Sequence, residues 1–265
     1  MLKLCLPISD LFENNITMLR SFIDGFDVLE LKFPKDYPLL PKEKEKILHI
    51  SKGIIEHDFV NFIQRAKIFE YMERQNINHF SFDLGPACEY STFILPLSRI
   101  LKKNELFKIA EKRINFIRRN FRGNLSVENL NYYRTGLFEH ICSPSFITEF
   151  TERFDLKFLL DFAHAQITAY NLKCKLNEYL YALPLARVNE IHISRPFINH
   201  FLAVDAHGAP NEKDFSLLEE VLSLIDQSHD VYIGIEYYKE IKHLIGAYKR
   251  LNSLLKIKKI SIKRH

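Results

Sequence analysis

Four ionisable residues recur at long, nearly regular intervals in the second half of this chain. Glu128, Asp161, His192 and Glu236 are separated by 33, 31 and 44 residues. Runs such as Lys157-Phe158-Leu159-Leu160-Asp161 and Val231-Tyr232-Ile233-Gly234-Ile235-Glu236 put an ionisable group directly after apolar positions. His164 lies just beyond Asp161, and Asp205-Ala206-His207-Gly208, expected in a loop, falls inside the longest interval. His49 and Asp83 occupy comparable positions upstream. Taken singly, each has an ordinary structural role, a helix cap or a hydrogen-bonded core histidine. Taken together, carboxylates converging on one mouth would raise one another's pKa unless a cation neutralised them. Glu128, Asp161, His192 and Glu236 are therefore the expected catalytic set. The expected metal ligands are His49, Asp83, Glu128, Asp161, His164, His192, Asp205, His207 and Glu236. Oxygen and imidazole donors without thiolate suit iron, manganese or zinc, and their number favours two or three ions over one.

Residues at such intervals need strands to hold them. Short β-type runs at Leu2–Ile8, Asp27–Phe33, Ile47–Ile50, His79–Leu84, Asn124–Leu130, Lys157–Phe162, Val188–Ser194 and Val231–Tyr237 alternate with helical patterns. Several are almost continuously apolar, as strands buried on both faces should be. Phe59, Phe62, Ile63, Ala66 and Phe69 follow Asp58, a predicted N-cap; Leu106, Ala110, Ile114, Ile117 and Phe121 form a second stripe; Ser143-Pro144 opens a third helix. Eight strands separated by helices predict a single α/β domain, a (β/α)8 TIM barrel over 1–255, with a basic tail at 256–265. In such a barrel the site forms at the C-terminal strand ends. There is no GxGxxG after the first strand, which counts against a dinucleotide fold.

Composition narrows the class. The chain has 265 residues, 47% hydrophobic and 26% charged, and four widely spaced cysteines, which are expected to be reduced thiols. The formal charge is +4, but residues 256–265 carry five Lys/Arg and no acid, so the remainder sums to about −1. Nucleic acid is not the expected partner. No apolar run is long enough to span a bilayer and the first residues read as a strand, so a cytoplasmic protein without membrane contact is expected.

The segments Glu128-Asn129-Leu130-Asn131-Tyr132-Tyr133, Phe158–His164, Ala182–His192, Val204–Gly208 and Ile233–Glu236 resemble, in order and spacing, the multinuclear non-haem iron-dependent oxidative enzymes, the family of the methanobactin-biosynthesis iron enzyme. Asp27–Leu31 and Leu48-His49 resemble it more loosely. The resemblance implies a xylose-isomerase-like barrel and places iron ligands on His49, Glu128, Asp161, His164, His192, Asp205, His207 and Glu236, with Asn129 beside a bridging Glu128. It also implies two or three irons as Fe2+/Fe3+, dioxygen as co-substrate, and oxidation of a cysteine-containing precursor peptide in peptide natural-product maturation. A small partner protein delivering the peptide is implied as well. Where the family has Ser-x-His, this chain has Ser81-Phe82-Asp83.

Two other readings are open. One is a divalent-metal sugar isomerase or endonuclease-IV-like phosphodiesterase on a related barrel, for which Arg134, Arg187 and Arg195 near the predicted mouth are the available cations. The other is a non-catalytic peptide- or partner-binding barrel, which only the Asp83 departure favours.

Overall fold

The computed structural model describes residues 1–13, 22–35, 40–88 and 99–262. The barrel strands are β1 (Leu2–Ile8), β2 (Val28–Leu31), β3 (Glu45–Gly53), β4 (His79–Asp83), β5 (Asn124–Glu128), β6 (Lys157–Asp161) and β7 (Val188–Ile193). A one-turn helix, α1 (Asp10–Glu13), follows β1, and a short hairpin, β8 (Arg195–Ile198) and β9 (Ala203–Gly208), precedes the last barrel strand, β10 (Val231–Ile235). The eight barrel strands are parallel and close in the order β1-β10-β7-β6-β5-β4-β3-β2. The expected (β/α)8 TIM barrel is thus the observed fold. The Tyr248 hydroxyl secures the seam, donating to Cys5 O at 2.8 Å and accepting from Ile235 N at 3.0 Å.

Period-two alternation divides each strand between two environments. In β4, Phe80 and Phe82 are buried among the helices, with Phe82 meeting Phe59 of α2 (Phe59–Arg65) at 5.9 Å between ring centroids. The intervening His79, Ser81 and Asp83 belong to the other face. Their counterparts include Glu30 of β2, Glu128 of β5, Asp161 of β6, and Glu190 and His192 of β7. Apart from Asp83 at the rim, these positions are as buried as the aromatic residues, yet they are polar. Only a small apolar set, Cys5, Val28, Ile47 and Tyr232, packs separately from the main core.

Several local expectations are corrected. The stripe from Phe59 to Phe69 is not one helix, because Lys67 takes φ +50° and separates α2 from α3 (Ile68–Arg74). Asp58 precedes α2 without a side-chain cap; its carboxylate pairs with Lys52 at 2.7 Å instead. The second stripe lies in α4 (Lys103–Asn120), with Phe121 just past its end. Pro144 opens α5 (Pro144–Arg153) as predicted, but Ser143 makes no side-chain cap and its hydroxyl pairs with Ser145. The final helix spans Ile241–Ile262, so residues 256–262 of the basic tail continue it, and 263–265 lie outside the described residues. The four cysteines are free thiols.

β3 and β4 close tightly just above His49 and Asp83. A Cβ on Gly53 would lie 2.3 Å from Gly85 Cα, and Gly85 itself has φ +85°. Gly53→Ala should therefore cost about 1–3 kcal/mol of overpacking. Gly246→Ala, in the last helix with nothing within 4 Å of the added carbon, should be neutral or stabilising. Urea unfolding of the two variants checks the contrast, and equal midpoints would contradict the packing described here.

A candidate metal centre at the barrel mouth

A cavity of about 980 Å³ opens at the C-terminal ends of the strands. Of the nine predicted ligand residues, all except Asp161 and His192 line it; those two are fully buried beneath. The ligand atoms form three groups, each within 4.8 Å: His49–Asp83–Glu128, Glu128–Asp161–His164, and Glu30–His192–Glu236. Glu128 belongs to two of them.

Glu128 is the hub of the arrangement. Its Oε2 lies 3.2 Å from His49 Nε2, and its Oε1 lies 3.2 Å from His164 Nδ1 and 3.9 Å from His192 Nδ1. His49 turns Nε2 inward because Nδ1 is tied to Ser81 Oγ at 3.1 Å. Asp83 Oδ1 approaches the same Nε2 at 3.8 Å.

Asp161 and His164 are set by the start of α6 (Phe162–Leu172). Asp161 is the N-cap and accepts from His164 N at 2.6 Å, so the short spacing brings both side chains to one site. Asn129 spends its carboxamide on the Asp161 backbone: Nδ2 donates to Asp161 O at 3.0 Å, and Oδ1 accepts from Asp161 N at 2.9 Å. Its own carbonyl accepts from His164 Nδ1 at 2.7 Å, leaving Nε2 towards Asp205 Oδ2 at 3.4 Å. Asn129 thereby ties the end of β5 to the end of β6.

Asp205 and His207 arrive on a strand, β9, where the sequence reading had a loop. The β8–β9 hairpin folds them over the mouth. His207 Nε2 lies 3.3 Å from Asp205 Oδ2, and Nδ1 lies 3.5 Å from Glu236 Oε2. His207 adopts φ +41°, a backbone state that a side-chain-bearing residue resists.

Three contributors escaped the sequence reading. Glu30, fully buried, accepts from His192 Nε2 at 3.1 Å. Lys32 forms ion pairs with Glu30 and Glu236. Glu190 sits below His192 and pairs with His79 Nε2 at 2.9 Å. The missed signal was the period-two series Val28, Glu30, Lys32 and the pair Glu190, His192, each placing successive side chains on one face. Arg187 is a correction of another kind. It precedes β7 and bonds Leu156 O at 3.2 Å, at the barrel end opposite the mouth.

The electrostatics call for cations. Burial and the neighbouring Glu128 charge push Asp83 well above the usual carboxylate range, and its carboxyl hydrogen-bonds Glu128. Burial likewise lifts Asp161 to about 7. Burial would also raise Glu128, but His49, His164 and His192 together hold it at about 2. Burial lowers His164, yet Asp161, Asp205 and Glu128 more than reverse this and keep it protonated well above its ordinary range. His49 is lowered to about 4, by burial first and Lys32 second. Buried Asp161 Oδ2, His192 Nδ1 and His207 Nδ1 have no hydrogen-bond partner among the described residues. Unpaired oxygen and imidazole donors beside carboxyls that hold protons are a donor set that fits divalent cations.

At neutral pH without metal, Asp83 and His164 carry protons and Asp161 is partly protonated, protons that a cation must displace, whereas Glu128 and His49 are already deprotonated. Metal binding should release protons, and affinity should rise about tenfold per pH unit for each proton displaced between pH 6 and 7. Calorimetric titration with Mn2+ in buffers of different ionisation enthalpy checks this; pH-independent affinity would contradict it. Asn129→Ala should weaken metal binding about 10–100-fold while leaving the ligands in place.

Comparison with known proteins places this geometry in context. A UPF0276 protein of Shewanella oneidensis (strain MR-1) is 23% identical over 184 residues, covering 67% of this chain and 64% of that protein, so the match spans just under two thirds of the relative's length. A D-tagatose 3-epimerase-like protein shares the fold with a TM-score of 0.62 at 15% identity, covering 98% of this chain and 99% of the other. A xylose isomerase domain containing protein from Salmonella typhimurium LT2 does so with a TM-score of 0.61 at 10% identity, covering 96% of each. The barrel is thus of the xylose-isomerase-like kind. The family model of the RiPP precursor modification enzymes MbnB/TglH/ChrH matches residues 56–255, from the end of β3 into the final helix, and the chain belongs to that family.

Proposed function

We propose that this chain is a non-haem iron-dependent oxidative enzyme that uses dioxygen to modify a cysteine-containing precursor peptide. The observation that carries the reading is Glu128, one carboxylate shared by two ligand groups, the arrangement expected of a bridge between neighbouring ions. His49 and Asp83 would complete one ion's protein ligands. Asp161 and His164, with Asp205 alongside, would complete the other's. His192, His207 and Glu236 border the same space. Iron held there would supply dioxygen reduction and electron transfer from the substrate.

The chain's own part is to bind and orient. Leu11, Phe33, Phe62 and Leu130 give the cavity apolar walls beside the charged floor. Its size, at the upper end of small-molecule pockets, suits a peptide side chain with part of its backbone. Asn129 and Ser81 hold ligand groups in register, and Tyr238 donates to Glu236 Oε1 at 3.0 Å. A peptide substrate accords with the family, and a small delivering partner protein and a cytoplasmic setting belong to the same proposal. Among the described residues no helix is long and apolar enough to cross a membrane.

A sugar isomerase or epimerase is the second reading, favoured by the sugar-epimerase-like structural neighbour. The two separate cleanly. Protein loaded anaerobically with Fe2+ should consume dioxygen when given a cysteine-containing precursor peptide, with a mass change on the peptide that a Cys→Ser peptide does not show. Glu128→Ala should lose both ions and at least ~100-fold of the activity. Epimerisation of a ketose by the Mn2+ form, without dioxygen uptake by the Fe2+ form, would support the sugar reading instead.

A further inference from the structure

The third ligand group differs from the other two in what already occupies it. Lys32 Nζ lies 2.6 Å from Glu30 Oε1 and is also ion-paired with Glu236 Oε1. Both carboxylates belong to the Glu30–His192–Glu236 group. The lysine side chain is only 19% exposed, against 0% and 7% for the two glutamates. The ammonium therefore sits within the barrel mouth, among the donors that a third ion would need. The Glu128 groups contain nothing comparable. Among the described residues, the ion pairs of Asp83, Glu128 and Asp161 are all with histidines.

We infer that Lys32 is a built-in cation that takes the place of a third metal, so that the chain carries two ions, both around Glu128, and not three. A tethered ammonium and a divalent ion compete for these carboxylates, because their like charges repel at close range. The ammonium hydrogen-bonds Glu236 and forms an ion pair with Glu30, which needs no fixed coordination geometry. Lys32 is two residues beyond Glu30, just past the end of β2, and its ammonium meets Glu30 on the same side. Glu30, His192 and Glu236 then form a charged wall fixed by Lys32. His192 Nε2 points to Glu30 at 3.1 Å, and its Nδ1 faces Glu236 at 3.4 Å.

This inference rests on the metal-centre reading, and metal counting distinguishes the two. Wild type, Lys32→Met, Lys32→Arg and Glu30→Gln would be loaded anaerobically with excess Fe2+, desalted, and measured by native mass spectrometry with elemental analysis. The wild type should saturate at two ions, Lys32→Met should accept a third, and Lys32→Arg should stay at two. Glu30→Gln, which alters only the lysine's group, should keep both ions. Three ions on the wild type, a count of two on folded Lys32→Met, or loss of an ion from Glu30→Gln would each overturn the inference while leaving a metal centre intact. A wild type that binds no metal would overturn the underlying reading and this inference with it. Should Lys32→Met fail to fold, the wild-type and Glu30→Gln counts still decide.

Discussion

Burying like charges together is the constraint on which the rest of this structure depends. Glu30, Asp83, Glu128, Asp161, Glu190 and Glu236 converge in and just above one barrel, removed from the water that would otherwise screen them. Each needs a compensating proton, imidazole, ammonium or metal. The chain uses several of these in different places. His79 serves Glu190 below, Lys32 serves Glu30 and Glu236 on one side, and around Glu128 the compensation is left to histidines and displaceable protons. That uneven distribution separates the part of the mouth that suits metal from the part already neutralised.

The barrel allows this because its strands have two unlike faces. Outward residues such as Phe80, Phe82 and Phe158 bury apolar surface against the helices and supply most of the driving force for folding. That leaves the inner face free to hold groups that cost stability. The Gly53–Gly85 approach, the Asn129 clamp on Asp161 and the positive φ of His207 all lie within or beside the mouth. The structure is most tightly constrained where ligand groups must be held in position.

Much of this was legible in the sequence. Strand-end residues such as Glu128, Asp161 and Glu236 stand out because an ionisable group follows an apolar run. His164 stands out because it lies just beyond Asp161, the N-cap of α6, whose first turn returns it to the same side. Glu30 and Lys32 were missed for a physical reason: they lie in and just past a short strand whose polar face is internal, so alternation there reads like that of a half-exposed strand. The split between α2 and α3 was illegible because the apolar stripe runs through Lys67, whose left-handed conformation carries no signature in its residue type. The hairpin carrying Asp205 and His207 resembles a loop in sequence, since one short two-stranded ribbon gives only a weak alternation signal. Family membership then supplies a peptide-modifying context that the barrel alone, shared with sugar epimerases, would not provide.

We propose that Glu128 bridges two metal ions. Crystals of the anaerobically iron-loaded protein, measured on both sides of the iron absorption edge, test it most directly. Two anomalous peaks flanking the Glu128 carboxylate, one toward His49 and Asp83 and one toward Asp161 and His164, are the predicted result. A single peak away from Glu128, or none within coordination distance of it, would contradict the account.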